Sequence, residues 1–262
     1  MLPPSQPDEN QANDAMASQT GGNSKREASG RTWAFALVAA LVAGFGSWWM
    51  TESVLGFYRS ALMPPMKAIP TEADARGITL ARITTGSIAY GGLGGLLGLA
   101  LGMAGGGSRG SARASGSAGV VGLVLGMVGT GVGARLILPV FFAQFDPQSS
   151  DLLVPLLTHM AIWCVAGAAG SVAFGLGAGC QSHWTRSALG GFLGVAAATV
   201  AYELIGALGF PTSQTQMPMA TSPATRGLAQ ILVAIGAAIG SVLATGEPAK
   251  RPVPAKLVSD PK

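Results

Sequence analysis

The sequence predicts an all-α integral membrane protein of about six transmembrane helices, packed through glycine and alanine seams. Three observations carry that expectation. Only 11% of the 262 residues are charged, against about 25% in soluble domains, too few to coat a water-exposed globule of this length. Formal charge is absent from 32–51, 83–108, 114–134, 152–185 and 227–246, each at least as long as the roughly 20 residues that a helix needs to cross a bilayer. The chain also holds 39 glycines, many stepping by three and four, although glycine costs about 1 kcal/mol relative to alanine in a water-exposed helix. Collagen is excluded because the glycines have no period of three, and wholesale disorder because 49% of the residues are hydrophobic.

Residues 1–31 are rich in Pro, Ser, Asn, Gln and Gly, with scarcely any large apolar residue, and are expected to form a disordered cytoplasmic tail. The membrane domain is expected at 32–246 and a flexible, Pro- and Lys-rich tail at 247–262. The first span, TWAFALVAALVAGFGSWWM, follows Lys25, Arg26 and Arg31 and ends in Trp48-Trp49-Met50. A cleaved signal peptide would have a shorter apolar core and end in small residues, so this is an uncleaved span with an aromatic interface anchor. A mixed segment broken by Pro64, Pro65 and Pro70 follows. Spans two to six are expected near 83–107, 116–142, 153–179, 187–209 and 227–245.

Basic residues orient the set. With both termini in the cytoplasm, the inside segments hold Lys25, Arg26, Arg31, Arg109, Arg113, Arg186, Lys250, Arg251, Lys256 and Lys262, ten of the sixteen bases. Arg59, Lys67, Arg76 and Arg82 run against that count. The expectation is an inner-membrane protein, if bacterial, with N-in and C-in topology. The net charge of +4 does not point to nucleic acid, since the bases sit in short loops and tails without aromatic platforms.

Lipid tails are as apolar as leucine, so membrane helices associate by the close approach that small residues permit. Span three carries Gly119, Gly122, Gly126, Gly129 and Gly133, and span two Gly91, Gly95, Gly98, Gly102 and Gly105. Their mean step of 3.5 predicts heptad-like seams with a left-handed crossing. Gly170, Gly191, Gly194, Gly236 and Gly240 continue the pattern in spans four to six. The partners implied are the lipid bilayer and other membrane helices, including a second copy of the chain.

A shift of 68 lays span three on span five, and a shift of 72 lays span two on span four, so 83–142 and 153–209 read as tandem helical hairpins. The first shift places Arg135 on Glu203, the two formal charges well inside spans. An internal charge costs about 2.5–3.5 kcal/mol on insertion scales and is a functional candidate by default; its bland alternative is snorkelling near the membrane surface. The two are expected to pair. Pro139, four residues after Arg135, is a candidate kink.

Other reactive groups carry little. Cys164 and Cys180, sixteen residues apart, lie about 24 Å apart on a shared helix, too far for a disulfide. Cys180-Gln-Ser-His183 is half of a metal-ligand spacing, and His159 and Cys164 lie elsewhere on span four. No metal or cofactor is expected, and no catalytic motif indicates an enzyme. The expected function is a non-enzymatic membrane scaffold or accessory subunit. The second reading is a small transporter or channel subunit with Arg135 and Glu203 near the path.

Overall fold

A computed structural model describes residues 9–63, 71–145, 152–179, 184–210 and 212–245. The described residues form seven helices and no strand: α1 (Glu9–Phe57), α2 (Arg59–Leu62), α3 (Glu72–Ser108), α4 (Ala112–Gln144), α5 (Leu153–Gly177), α6 (Trp184–Gly209) and α7 (Pro223–Thr245). Six of them are long and apolar enough to cross a membrane, the first by its Gly30–Phe57 part. The chain is an integral, multi-pass membrane protein. Helical backbone continues back to Glu9, into the segment expected to be a tail.

Local chemistry sets the ends. Thr71 caps α3 reciprocally: its hydroxyl accepts from the Asp74 N–H, and the Asp74 carboxylate accepts from the Thr71 N–H at 3.0 Å. That cap starts α3 eleven residues before the span expected at 83. Its 37 residues measure about 55 Å, well beyond a hydrocarbon core of about 30 Å, so the segment before Arg82 projects from the membrane. Gly110 (φ +72°) turns the chain from α3 to α4, and Gly179 (φ +79°) ends the turn after α5; both angles favour glycine. Pro139 lies within α4, where it withholds a hydrogen bond from the Arg135 carbonyl.

The helices sort into two shells. In their most apolar windows, α3, α5 and α7 are 72%, 61% and 61% buried, whereas α1, α4 and α6 are 33%, 22% and 22% buried. The interior helices therefore touch several neighbours: α3 meets α1, α4 and α5, and α7 meets α1, α5 and α6. Among the described residues α4 and α6 do not touch; α5 lies between them. The outer faces of α4 and α6 carry Val120, Val124, Val128, Leu136, Leu189 and Leu204 fully in view, as lipid-facing surfaces do.

The closest packing is backbone on backbone. On α3, a Cβ at Gly94 would collide with the Gly126 carbonyl, one at Gly98 with the Gly122 carbonyl, and one at Gly102 would lie 2.5 Å from the Ala118 carbonyl oxygen. The same clashes recur from Gly122 and Gly126 toward α3. The rows in register are thus Gly94–Gly98–Gly102 and Ala118–Gly122–Gly126, each stepping by four. This corrects the expected three-four alternation: Gly91 and Gly95 approach α4 less tightly, at 3.2 Å, Gly119 meets the side chains of Met103 and Leu99, Gly129 has only Val165 at 3.5 Å, and Gly133 has nothing within 4 Å. Gly105 packs against the Phe174 carbonyl of α5, and Gly170 against Leu97 and Leu101.

The α5–α6 hairpin has the same register. Gly167 faces Val195, Gly191 faces Ser171, and Gly175 faces Ser187. A shift of 73 carries the α3 row onto Gly167, Ser171 and Gly175, and a shift of 69 carries the α4 row onto Ser187, Gly191 and Val195. Each shift is one residue from the one that glycine matching suggests. Gly190 and Gly194, which glycine matching pairs with Gly122 and Gly126, instead face α7, against the Gly240 and Gly236 carbonyls. In the packing register Arg135 corresponds to Leu204, not Glu203.

Candidate functional site: a polar cluster at one end of the bundle

The end of the bundle where α1, α4 and α6 finish and α3, α5 and α7 begin holds the densest polar network among the described residues. Its anchor is Arg226, near the start of α7. Arg226 donates from Nε and Nη2 to the two carboxylate oxygens of Glu52 at 2.7 and 2.8 Å, and from Nη1 to the carbonyls of Ala220 and Thr221 at 2.7 and 2.9 Å. One planar guanidinium therefore joins α1 to α7 and holds the last residues of the 212–222 connection. The Trp48 indole donates to the Pro223 carbonyl at 3.0 Å, and Gln230 Nε2 donates to Thr51 Oγ1 at 2.8 Å. Tyr90, buried on α3, donates its hydroxyl to the Pro218 carbonyl. The connection is fastened directly from α3 and α7, and α1 braces α7 beside it.

Beneath it lies an acid–base couple. His159 of α5 and Glu203 of α6 approach at 2.6 Å, Nδ1 to Oε1, with side chains only 1% and 11% exposed. The imidazole stacks on Trp163 with centroids 4.5 Å apart and planes at 19°, and Tyr202 presents its ring edge-on to both. His159 and Trp163 stand one helical turn apart on α5, and Tyr202 precedes Glu203, so two short sequence stretches build the group. A carboxylate in this position has a hydrogen-bonded partner able to share or carry a proton, in a setting with little water to substitute for it.

The expected Arg135–Glu203 pair is not formed. Arg135 lies exposed on α4 and donates to Thr84 Oγ1 of α3 at 3.2 Å, while Glu203 engages His159. The reason is topological: α4 and α6 are not neighbours, and equal depth in two hairpins does not bring two side chains together. Sequence reasoning singled out Glu203 but treated His159 only as a weak metal ligand. The sequence shows its placement one turn before Trp163 and, by the hairpin reading, its neighbouring helix, but not that it faces Glu203. Cys164 is a buried free thiol whose Sγ lies 3.5 Å from the Phe192 carbonyl; Cys180 and His183 fall outside the described residues.

Two atoms of the cluster have no protein partner: the Trp163 indole nitrogen and the Gln230 side-chain oxygen. Both residues line a cavity of about 20 Å³, together with Thr51, Tyr90, Tyr202 and Arg226. Comparison of the chain with protein-family models, with curated proteins and with solved structures returns no match.

Proposed function

We propose that this protein is a non-enzymatic membrane scaffold or accessory subunit whose bundle receives a helix of a partner in the membrane. The observation that supports this most is the recess left where α4 and α6 fail to meet over α5. It has a volume of about 520 Å³, with walls of Leu125, Trp184 and Phe192 and a floor that includes Ala161, Ala168 and Ala169. Apolar walls select an apolar occupant, and a floor of small side chains lets a helix backbone approach closely. The α3–α4 and α5–α6 seams, closed at the carbonyl level, suit a rigid support. A photo-crosslinking residue at Ala168 in native membranes is expected to yield a discrete protein adduct absent from a control at Leu136, which is 68% exposed. Lipid adducts alone at Ala168 would reject the scaffold reading.

A second reading, a small transporter or channel subunit, rests on the buried His159–Glu203 couple, since ionisable groups inside a membrane commonly mark proton or ion pathways. Arg135, exposed on α4, gives it no support. Flux in proteoliposomes that disappears in Glu203→Gln would favour this reading; no flux in the unaltered chain would remove it. Under either reading we infer, from the excess of basic residues in the inside segments, that both termini are cytoplasmic. Topology reporters at Ser149 and at the C-terminus are then expected on opposite sides, and same-side signals would overturn the orientation.

A further inference from the structure

We propose that the junction of α1, α5 and α7 is a water-binding site, in which one buried water accepts from the Trp163 indole N–H and donates to the Gln230 side-chain oxygen. The inference does not depend on the scaffold reading. Trp163 is 2% exposed and Gln230 7% exposed, and each presents one polar atom without a protein partner. An unmet buried donor or acceptor is costly, so two at one cavity form a strong local demand. The cavity of about 20 Å³ exceeds the ~10–15 Å³ that a single water requires and leaves no room for a larger molecule.

The chemistry of the walls narrows the occupant further. An N–H donor repels a cation, and a carbonyl acceptor repels an anion. A species that is small, neutral and both donor and acceptor satisfies the pair; water is the smallest such molecule. The second water proton has an acceptor in the Tyr90 hydroxyl oxygen, whose own proton goes to the Pro218 carbonyl and whose side chain lines the same cavity. That gives the three hydrogen bonds typical of a buried water. Exchanging the Gln230 amide oxygen and nitrogen reverses one bond but keeps the water in place: the oxygen then accepts from Thr51, and the water accepts from both the amide and the indole. The outcome is a continuous chain, Thr51–Gln230–water–Trp163, joining three helices just under the 212–222 connection.

The competing arrangement is a direct Trp163–Tyr90 hydrogen bond, reached by a small shift of the indole toward the neighbouring hydroxyl. The two are separable by NMR on the full chain in lipid nanodiscs. Trp33, Trp48, Trp49 and Trp184 are replaced by Phe, so that Trp163 is the one remaining indole. In deuterated protein its Nε1–H is expected to show a cross-relaxation peak at the water frequency. The peak is expected to be lost in Gln230→Met and to persist in Tyr90→Phe. A dry indole in the otherwise unaltered chain overturns the proposal without recourse to further variants. So does a water peak that survives Gln230→Met, or an indole proton whose only exchangeable neighbour disappears in Tyr90→Phe. Cross-peaks from lipid aliphatic protons in place of water would assign the cavity to another occupant and overturn it equally.

Discussion

On α3, Tyr90 and Gly94 stand one turn apart, yet they belong to regions held together by opposite means. From Gly94 to Gly102 the helix meets α4 almost without side chains, carbonyl against α-carbon. From Tyr90 toward the start of α3, contact is made by tyrosine, tryptophan, histidine, arginine, glutamate and glutamine reaching across gaps between helices. The first region gains from dispersion and weak Cα–H contacts at short range. The second gains from a few strong, directional bonds where water is scarce. The seam is therefore sensitive to added volume, and the polar end to the loss of a single atom.

The largest expected effect comes from adding volume to the seam. A Cβ at Gly126 already collides with the Gly94 carbonyl, and leucine adds three further carbons. Gly126→Leu is expected to cost roughly 3 kcal/mol or more, at the upper end of overpacking penalties, and to lower the thermal midpoint in detergent sharply. Gly131→Leu, whose Cβ would lie 3.5 Å from Gly91 and from the Ser87 carbonyl, is expected to be milder, and Gly133→Leu, with open space, nearly neutral. Equal losses at all three would mean that α3 and α4 do not share this seam.

Next comes removal of the anchor at the polar end. Arg226→Met keeps the unbranched stem of the side chain but removes the guanidinium and forfeits its four hydrogen bonds to Glu52, Ala220 and Thr221. Charge-assisted bonds contribute about 1.5–3 kcal/mol, and Glu52 would be left without its cation, so a loss of about 2–3 kcal/mol is expected. The 212–222 connection should also become a site of limited proteolysis. A variant as protease-resistant as the parent chain would show that the connection is held by other contacts.

These two regions were unequally legible in the sequence. Charge-free stretches of membrane length marked five of the six spans, and the sixth, 187–209, is apolar but for Glu203, because bilayer thickness acts on composition alone. The sequence shows small-residue stripes on both helices, but the close contacts of α3 and α4 follow a different row. With glycine at 91, 92, 94, 95, 98 and 102, both a 3.5-residue and a four-residue row can be drawn; what selects the latter is the partner's surface, where Ala118, Gly122 and Gly126 also step by four. The polar end was less legible still. Glu203 stands out as a charge, but its partner His159 lies 44 residues away; the hairpin reading of 153–209 sets α5 beside α6 without saying which side chains of the two helices meet. Arg226 and Glu52 lie at helix ends 174 residues apart, where a charge by itself carries no signal of its partner.

A third, smaller effect tests the buried couple. His159→Phe preserves the stacking on Trp163 but removes the bond to Glu203, and Glu203→Gln removes the charge while keeping the shape. Each is expected to cost about 1–3 kcal/mol. Combined, they are expected to cost less than their sum, with a coupling of at least about 1 kcal/mol in a double-mutant cycle. Additive losses would mean that the two side chains do not meet.

The smallest expected effect sharpens the comparison most, because it concerns the two charges that the sequence sets side by side. Arg135 is exposed, and its one hydrogen bond is to the neutral hydroxyl of Thr84. The guanidinium is charged but exposed, and screening holds such a bond to about 0.5–1.5 kcal/mol at best, so Arg135→Ala is expected to sit at or below the low end of that range. In a cycle with Glu203→Gln the two losses are expected to add within about 0.5 kcal/mol, the tolerance for independent sites. The same Glu203→Gln variant serves in both cycles, so an unfolded or aggregated sample would betray itself in the His159 measurement. Coupling of Arg135 to Glu203, with none to His159, would require α4 and α6 to be neighbours. The order of helices around α5 would then be wrong, and with it the recess between them that supports the scaffold reading.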